Sequence, residues 1–229
     1  MPCSLRAAAD AIAAKIARMR VVDRPAVSGA LLALLAAALF GVSTPLIQHA
    51  GSGLGVFTTA ALLYGGSALV GAALRRPAAR EAQLRRRDAA RLASMALFGA
   101  CIGPVCLVWG LQRTVGTSAS LMLTLEALFT ALLARAFYGE SMDRRVWSAM
   151  LLLLAGGAVL VVERGFAGSA AFAGLLAVLL ATAAWAVDNA LSRGLAEKDP
   201  GQVVMLKSAL GASVTAALAA LSGEPMPLS

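Results

Sequence analysis

The chain has 229 residues, of which 59% are hydrophobic and 14% charged, and its mean hydropathy is +0.79. That balance excludes an ordinary water-soluble domain and points to apolar helices in a bilayer. The net charge of +8 and pI near 10.4 do not indicate a nucleic-acid partner, because the arginines fall between apolar runs, where membrane topology places them.

Residues 1–26 form the first element. Leu5, Ile12, Ile16 and Met19 share one helical face, with Arg6, Lys15, Arg18 and Arg20 elsewhere. This pattern predicts a short amphipathic helix lying along the headgroups. Asp10 and Asp23 argue against an organelle transit peptide.

A spanning helix needs about 20 predominantly apolar residues. No Asp, Glu, Lys or Arg occurs between Pro25 and Leu74, so that stretch predicts two spans, near 27–49 and 54–74, around a hinge at Gly51 to Gly55. Pro45 is expected to bend the first span, and His49 to sit at its outer interface. Five further spans are predicted near 92–112, 116–137, 146–163, 172–192 and 203–222. The runs are long and unbroken, without the alternation of an outer-membrane barrel, so the fold class is an all-α polytopic bundle.

In the third span, Gly103–Pro104 predicts a bend, since proline removes a backbone hydrogen bond. Cys101 and Cys106 lie in the same span on different faces and, with Cys3, make no disulfide framework. Trp147 starts the fifth span as an interfacial anchor, while Trp109, Trp147 and Trp185 form no aromatic box by spacing.

Orientation follows from the cations. Arg6, Lys15, Arg18, Arg20 and Arg24 precede the first span, and Arg75, Arg76, Arg80, Arg85, Arg86, Arg87 and Arg91 follow the second. Arg135, Arg144, Arg145, Arg193 and Lys198 continue on the same side, against Arg113 and Arg164 on the other. The N-terminus is therefore expected in the cytoplasm, with the chain multi-pass in the inner (plasma) membrane. A lipid-headgroup site at Arg85–Arg87 is an alternative to simple anchoring.

The stretch Leu31–Val42 (LLALLAAALFGV) aligns without a gap to Leu176–Val187 (LAVLLATAAWAV), with Phe40 facing Trp185. If a repeat holds five spans, an odd number, its second copy enters the bilayer upside down, as in many secondary transporters. The chain then divides into the segment 1–26, a first repeat over 27–163, and the first two spans of a second over 172–222.

The run Leu121–Ala134 (LMLTLEALFTALLA), then Tyr138–Gly139–Glu140 and Gly156–Gly157–Ala158, resembles drug/metabolite transporters of the EamA-domain type. Trp185, Asp188, Asn189, Arg193, Asp199–Pro200 and Lys207 resemble the start of that family's second repeat. The resemblance implies ten spans in two inverted repeats, export of a small metabolite or drug-like molecule by alternating access, and no cofactor. It leaves three spans unaccounted for beyond Ser229, so a truncated product, a fragment, or a half that pairs with itself or another chain is expected.

Ionisable groups inside a bilayer cost about 2.5–3.5 kcal/mol on insertion scales and are functional candidates by default. Glu126 falls mid-span, where desolvation favours a neutral carboxyl group and suits proton exchange or a cationic substrate. Asp188 and Lys207 flank one short loop, so their depths match and an ion pair is expected, as a structural clamp or a gate. Gly174, Ala177, Ala181, Ala184 and Asp188 make a small-residue stripe that turns Asp188 inward. Gln112, Thr124, Thr130, Asn189 and Trp185 are expected to line the cavity, and Glu140 to contact Arg144.

One histidine and no HExxH, GxSxG, paired cysteine ligands or phosphate loop leave no recognisable catalytic centre or metal site. A seven-span receptor would carry its N-terminus outside, against the arginine pattern. An inactive membrane remnant is the other alternative.

Overall fold

The computed structural model describes residues 24–74, 83–166 and 168–224, and their regular elements are helices. The amphipathic segment before residue 24, with Cys3, and the basic residues Arg75, Arg76 and Arg80 lie outside the described residues. The helices are α1 (Arg24–Ala50), α2 (Val56–Leu74), α3 (Ala89–Met95), α4 (Gly103–Leu111), α5 (Gly116–Leu123), α6 (Leu125–Tyr138), α7 (Arg144–Phe166), α8 (Ser169–Ser192) and α9 (Pro200–Leu221).

Six helical stretches are long and apolar enough to cross a membrane: Gly29–His49, Val56–Ala73, Arg86–Leu111, Gly116–Tyr138, Ser169–Leu195 and Pro200–Leu221. The remaining predicted span, 146–163, falls within the 23 residues of α7, about 35 Å at 1.5 Å per residue. The protein is a polytopic helical bundle.

The chain divides into two units, Met1–Ser43 and Thr44–Ser229. In the first, α1 exposes Leu31, Leu32, Leu34, Leu35 and Leu39, and Ser43 Oγ donates to Phe40 O at 2.7 Å. Pro45 lies within α1, which continues to Ala50.

In the second unit α8 is central and touches α4, α5, α6 and α7. Leu107 and Leu111 of α4, Met122 of α5, Leu128 of α6 and Leu175, Val178 and Ala181 of α8 form one buried apolar cluster. In lipid such helices gain from close packing rather than from hydrophobic burial, so small residues mark their contacts. A β-carbon on Gly110 would lie 2.7 Å from Gly174 O, and one on Gly103 2.6 Å from Trp185 Nε1. One on Gly99 would collide with the Asp188 carboxylate. The third span and α8 therefore run antiparallel, in glycine-mediated register.

The α2–α9 pair is held likewise. Gly71 faces Met205, and the Ser67 and Ser208 hydroxyls meet at 3.1 Å. At the far end the Glu224 carboxylate accepts from Thr58 N at 2.8 Å and Phe57 N at 3.4 Å, meeting two N–H groups that the first turn of α2 leaves unpaired. Glu224→Ala is expected to cost about 0.5–2 kcal/mol, the range for losing a helix N-terminal cap, read as a lower melting temperature in detergent. An unchanged melting temperature would remove the capping role.

Two spans read as continuous are interrupted. Between α3 and α4, Ala96–Ile102 is wound as a π-helix, and the Gly103 N–H donates to Phe98 O, five residues back. In the fourth span, Thr124 forms a turn between α5 and α6, its hydroxyl donating to Leu121 O at 2.6 Å.

The basic loops gather at one end. Leu84 N donates to Gln202 Oε1 at 2.9 Å, Lys198 Nζ lies 3.3 Å from Asp88 Oδ2, and Arg193 pairs with Glu140. The expected Glu140–Arg144 contact is thus corrected: the partner is Arg193. Gly139, at φ 66°, ends α6 in the left-handed conformation that glycine adopts without strain. The chain leaves α6 there, and Glu140 meets the end of α8.

Candidate functional site

The site begins with a backbone defect. In π register the carbonyl of Gly99 would take its hydrogen bond from residue 104, which is Pro104 and has no N–H. An unpaired carbonyl inside a bilayer costs several kcal/mol, so it needs donors from elsewhere. Two converge on it: Tyr64 Oη at 2.5 Å from α2 and Trp185 Nε1 at 2.9 Å from α8. The bend expected at Gly103–Pro104 is therefore also a junction of three spans. π-helical turns of this kind occur frequently at functional sites.

One turn along α8 from Trp185 stands Asp188, which is 6% exposed. Lys207 Nζ of α9 donates to its Oδ2 at 2.6 Å. Asp188 packs directly on Gly99, where only a glycine leaves room. Its second oxygen, Oδ1, is buried and has no hydrogen-bond partner among the described residues.

The neighbouring residue, Asn189, projects toward α6. Its Nδ2 donates to Glu126 Oε1 at 2.6 Å. Glu126 follows the Thr124 turn at the start of α6. Adjacent residues of α8 thus hold two carboxylates: Asp188 bonded to α9, and Asn189 bonded to Glu126 of α6.

Not all expected lining residues join them. The Thr124 hydroxyl is spent on its own turn. Thr130 Oγ1, one helical turn beyond Glu126, is buried without a hydrogen-bond partner among the described residues. Gln112 lies apart, beside Gln48, Leu54, Gly55, Leu111 and Arg113 around an open cavity of about 790 Å³. The Gln48 amide donates there to Leu111 O at 3.1 Å and Thr114 O at 3.2 Å. Arg113, in the same cavity, stacks its guanidinium 3.8 Å from the centre of the Trp109 ring.

Tyr64 and Gly99 are the residues that the sequence reading missed. Their signals are a lone tyrosine in the middle of an uncharged span and the Gly99-x-x-x-Gly103 spacing, a small-residue pattern of close helix contacts.

The comparisons agree with this architecture. Residues 27–162 match the model of the EamA-like transporter family. Over 129 residues the chain is 30% identical to an uncharacterized transporter of Methanothermobacter thermautotrophicus, covering 55% of this chain and 38% of that protein. The match thus spans little more than a third of the relative's length. No solved structure matches. With more than half of its residues inside the family match, the chain belongs to the EamA-like transporter family.

Proposed function

We propose that the protein exports a small metabolite or drug-like molecule across the inner membrane by alternating access, with Glu126 as the proton-coupling or substrate-binding group. The observation that carries this reading is the pair of polar contacts on consecutive residues of α8: Asn189 to Glu126, and Asp188 to Lys207. Charges are retained inside a bilayer where they serve a pathway or a relay. Here they tie α6 and α9 to the same turn of α8.

In this mechanism the N-terminus and the arginine-rich loops face the cytoplasm. Glu126 exchanges a proton or a cationic substrate, and its bond to Asn189 forms only in one state. Asp188–Lys207 closes the cytoplasmic half, and α8 and α9 open the inverted second repeat. A bulged segment such as Ala96–Ile102 suits a moving helix, because its Gly99 carbonyl is satisfied by neighbouring spans rather than by its own ladder.

The test is ethidium efflux from cells making the protein, followed at acidic and alkaline external pH. Glu126→Gln keeps the side-chain shape and the bond from Asn189 but cannot ionise. It is expected to abolish the pH dependence of efflux while leaving membrane insertion intact. If efflux keeps its full pH dependence in this variant, Glu126 does not couple transport to protons.

A further inference from the structure

The arginine-rich end holds a further cavity, of about 330 Å³, which the proposed transport mechanism does not use. Arg91, Leu133, Phe137, Tyr138, Val187 and Leu191 line it, drawn from α3, α6 and α8. Its walls are apolar except for one cation and one phenol. The phenol is engaged, since Tyr138 Oη donates to Ala190 O at 2.7 Å.

Arg91 is placed differently from three paired cations of the bundle. Lys198 lies against Asp88, Arg193 against Glu140 and Lys207 against Asp188. Arg91 has no ion pair among the described residues. Its guanidinium lies on Gly194, where any β-carbon would occupy the same space. The glycine thus seats the cation at the rim of the cavity.

The depth of the lining follows from the helix ends. Arg91 is in the first turn of α3, Phe137 and Tyr138 end α6, and Leu191 is next to last in α8. Leu133 and Val187 stand one turn deeper, about 6 Å at 1.5 Å per residue. Phe137 is 72% exposed. A cation beside an apolar cavity whose wall includes the exposed Phe137 matches an anionic head joined to an acyl chain.

We propose that this cavity binds one anionic phospholipid of the cytoplasmic leaflet, its phosphate on Arg91 and one acyl chain running past Leu133 and Val187. Bound there, the lipid bridges the ends of α3, α6 and α8. The assignment relies on the membrane topology and not on the roles given to Glu126, Asp188 or Lys207.

Native mass spectrometry of the full chain, titrated with phosphatidylglycerol or with phosphatidylcholine of the same chains, tests it. The first phosphatidylglycerol adduct is expected at about five-fold lower lipid concentration, the factor that one membrane-facing basic residue contributes. Arg91→Gln should erase that preference, and Leu133→Trp, which fills the channel and keeps the cation, should weaken both adducts. Arg86→Gln, at an exposed neighbour outside the cavity, should leave the preference unchanged. Equal adducts with the two lipids would overturn the proposal, as would a preference that survives Arg91→Gln and Leu133→Trp. Displacement of the lipid by an equal concentration of glycerol phosphate would make the site one for soluble anions and would also overturn it. Because the readout is lipid binding, its failure leaves the transport reading untouched, and loss of pH-dependent efflux leaves this site untouched.

Discussion

Replacing Lys207 by Met is expected to destabilise the protein by about 3–5 kcal/mol, the range for removing one partner of a buried ion pair. Asp188 is 6% exposed, and Lys207 supplies its one side-chain hydrogen bond among the described residues, at 2.6 Å. Oδ1 has no partner, so the carboxylate depends on that single ammonium group. Taking the ammonium away leaves a buried charge facing Gly99, with no room for a side chain there to compensate. Asp188→Asn alone strands the ammonium instead and should cost a comparable amount. The double variant Asp188→Asn with Lys207→Met removes both charges and is expected to recover most of the loss. Unfolding in bicelles, with all four proteins compared, gives the coupling energy directly. Strictly additive single and double losses would show that the two groups do not stabilise one another, despite their distance.

That pair was readable because its constraint is one-dimensional. Asp188 and Lys207 lie at similar distances from the loop that joins their helices, so sequence alone sets their depths, and the alanine stripe of α8 sets the direction of Asp188. The limits of the spans were readable for the same reason, since membrane crossing is decided by a run of composition. Partner choice across non-adjacent helices is three-dimensional and was not readable. Glu140 meets Arg193 rather than Arg144 because Gly139 turns the chain off α6 beside the end of α8. Gln112 was grouped with Glu126 on polarity alone, yet it terminates α4 at the cavity containing Gln48 and Arg113.

The junction at Gly99 was legible only in halves. Pro104 announced a disturbance in the third span, but the length of the disturbed segment and the donors that repair it depend on where Tyr64 and Trp185 arrive. The break at Thr124 was hidden for a related reason. The residues on either side form a good apolar helix, and a single turn of altered hydrogen bonding leaves no mark on hydropathy. It falls two residues before Glu126.

Gly211→Val in α9 is expected to disrupt that junction most severely from a distance. A β-carbon at position 211 would collide with the Ala100 side chain and lie 2.8 Å from the Ala100 carbonyl oxygen. Ala100 is fully buried in the π-helical segment, so the obstacle is backbone that cannot rotate aside. Overpacking of this kind costs about 1–3 kcal/mol, and the branched valine should stand at the upper end of that range or beyond. The displaced segment also carries Gly99, so the Tyr64 and Trp185 bonds and the seat of Asp188 should loosen together. Gly156→Ala in α7 is the matched control, since nothing lies within 4 Å of its β-carbon. There the gain in helix propensity, roughly 0.5–1 kcal/mol, is the main effect expected. Thermal unfolding in detergent should therefore separate the two variants in opposite directions. If Gly211→Val melts with the parent protein, α9 does not press on the π-helical segment, and the close approach that organises the junction is absent.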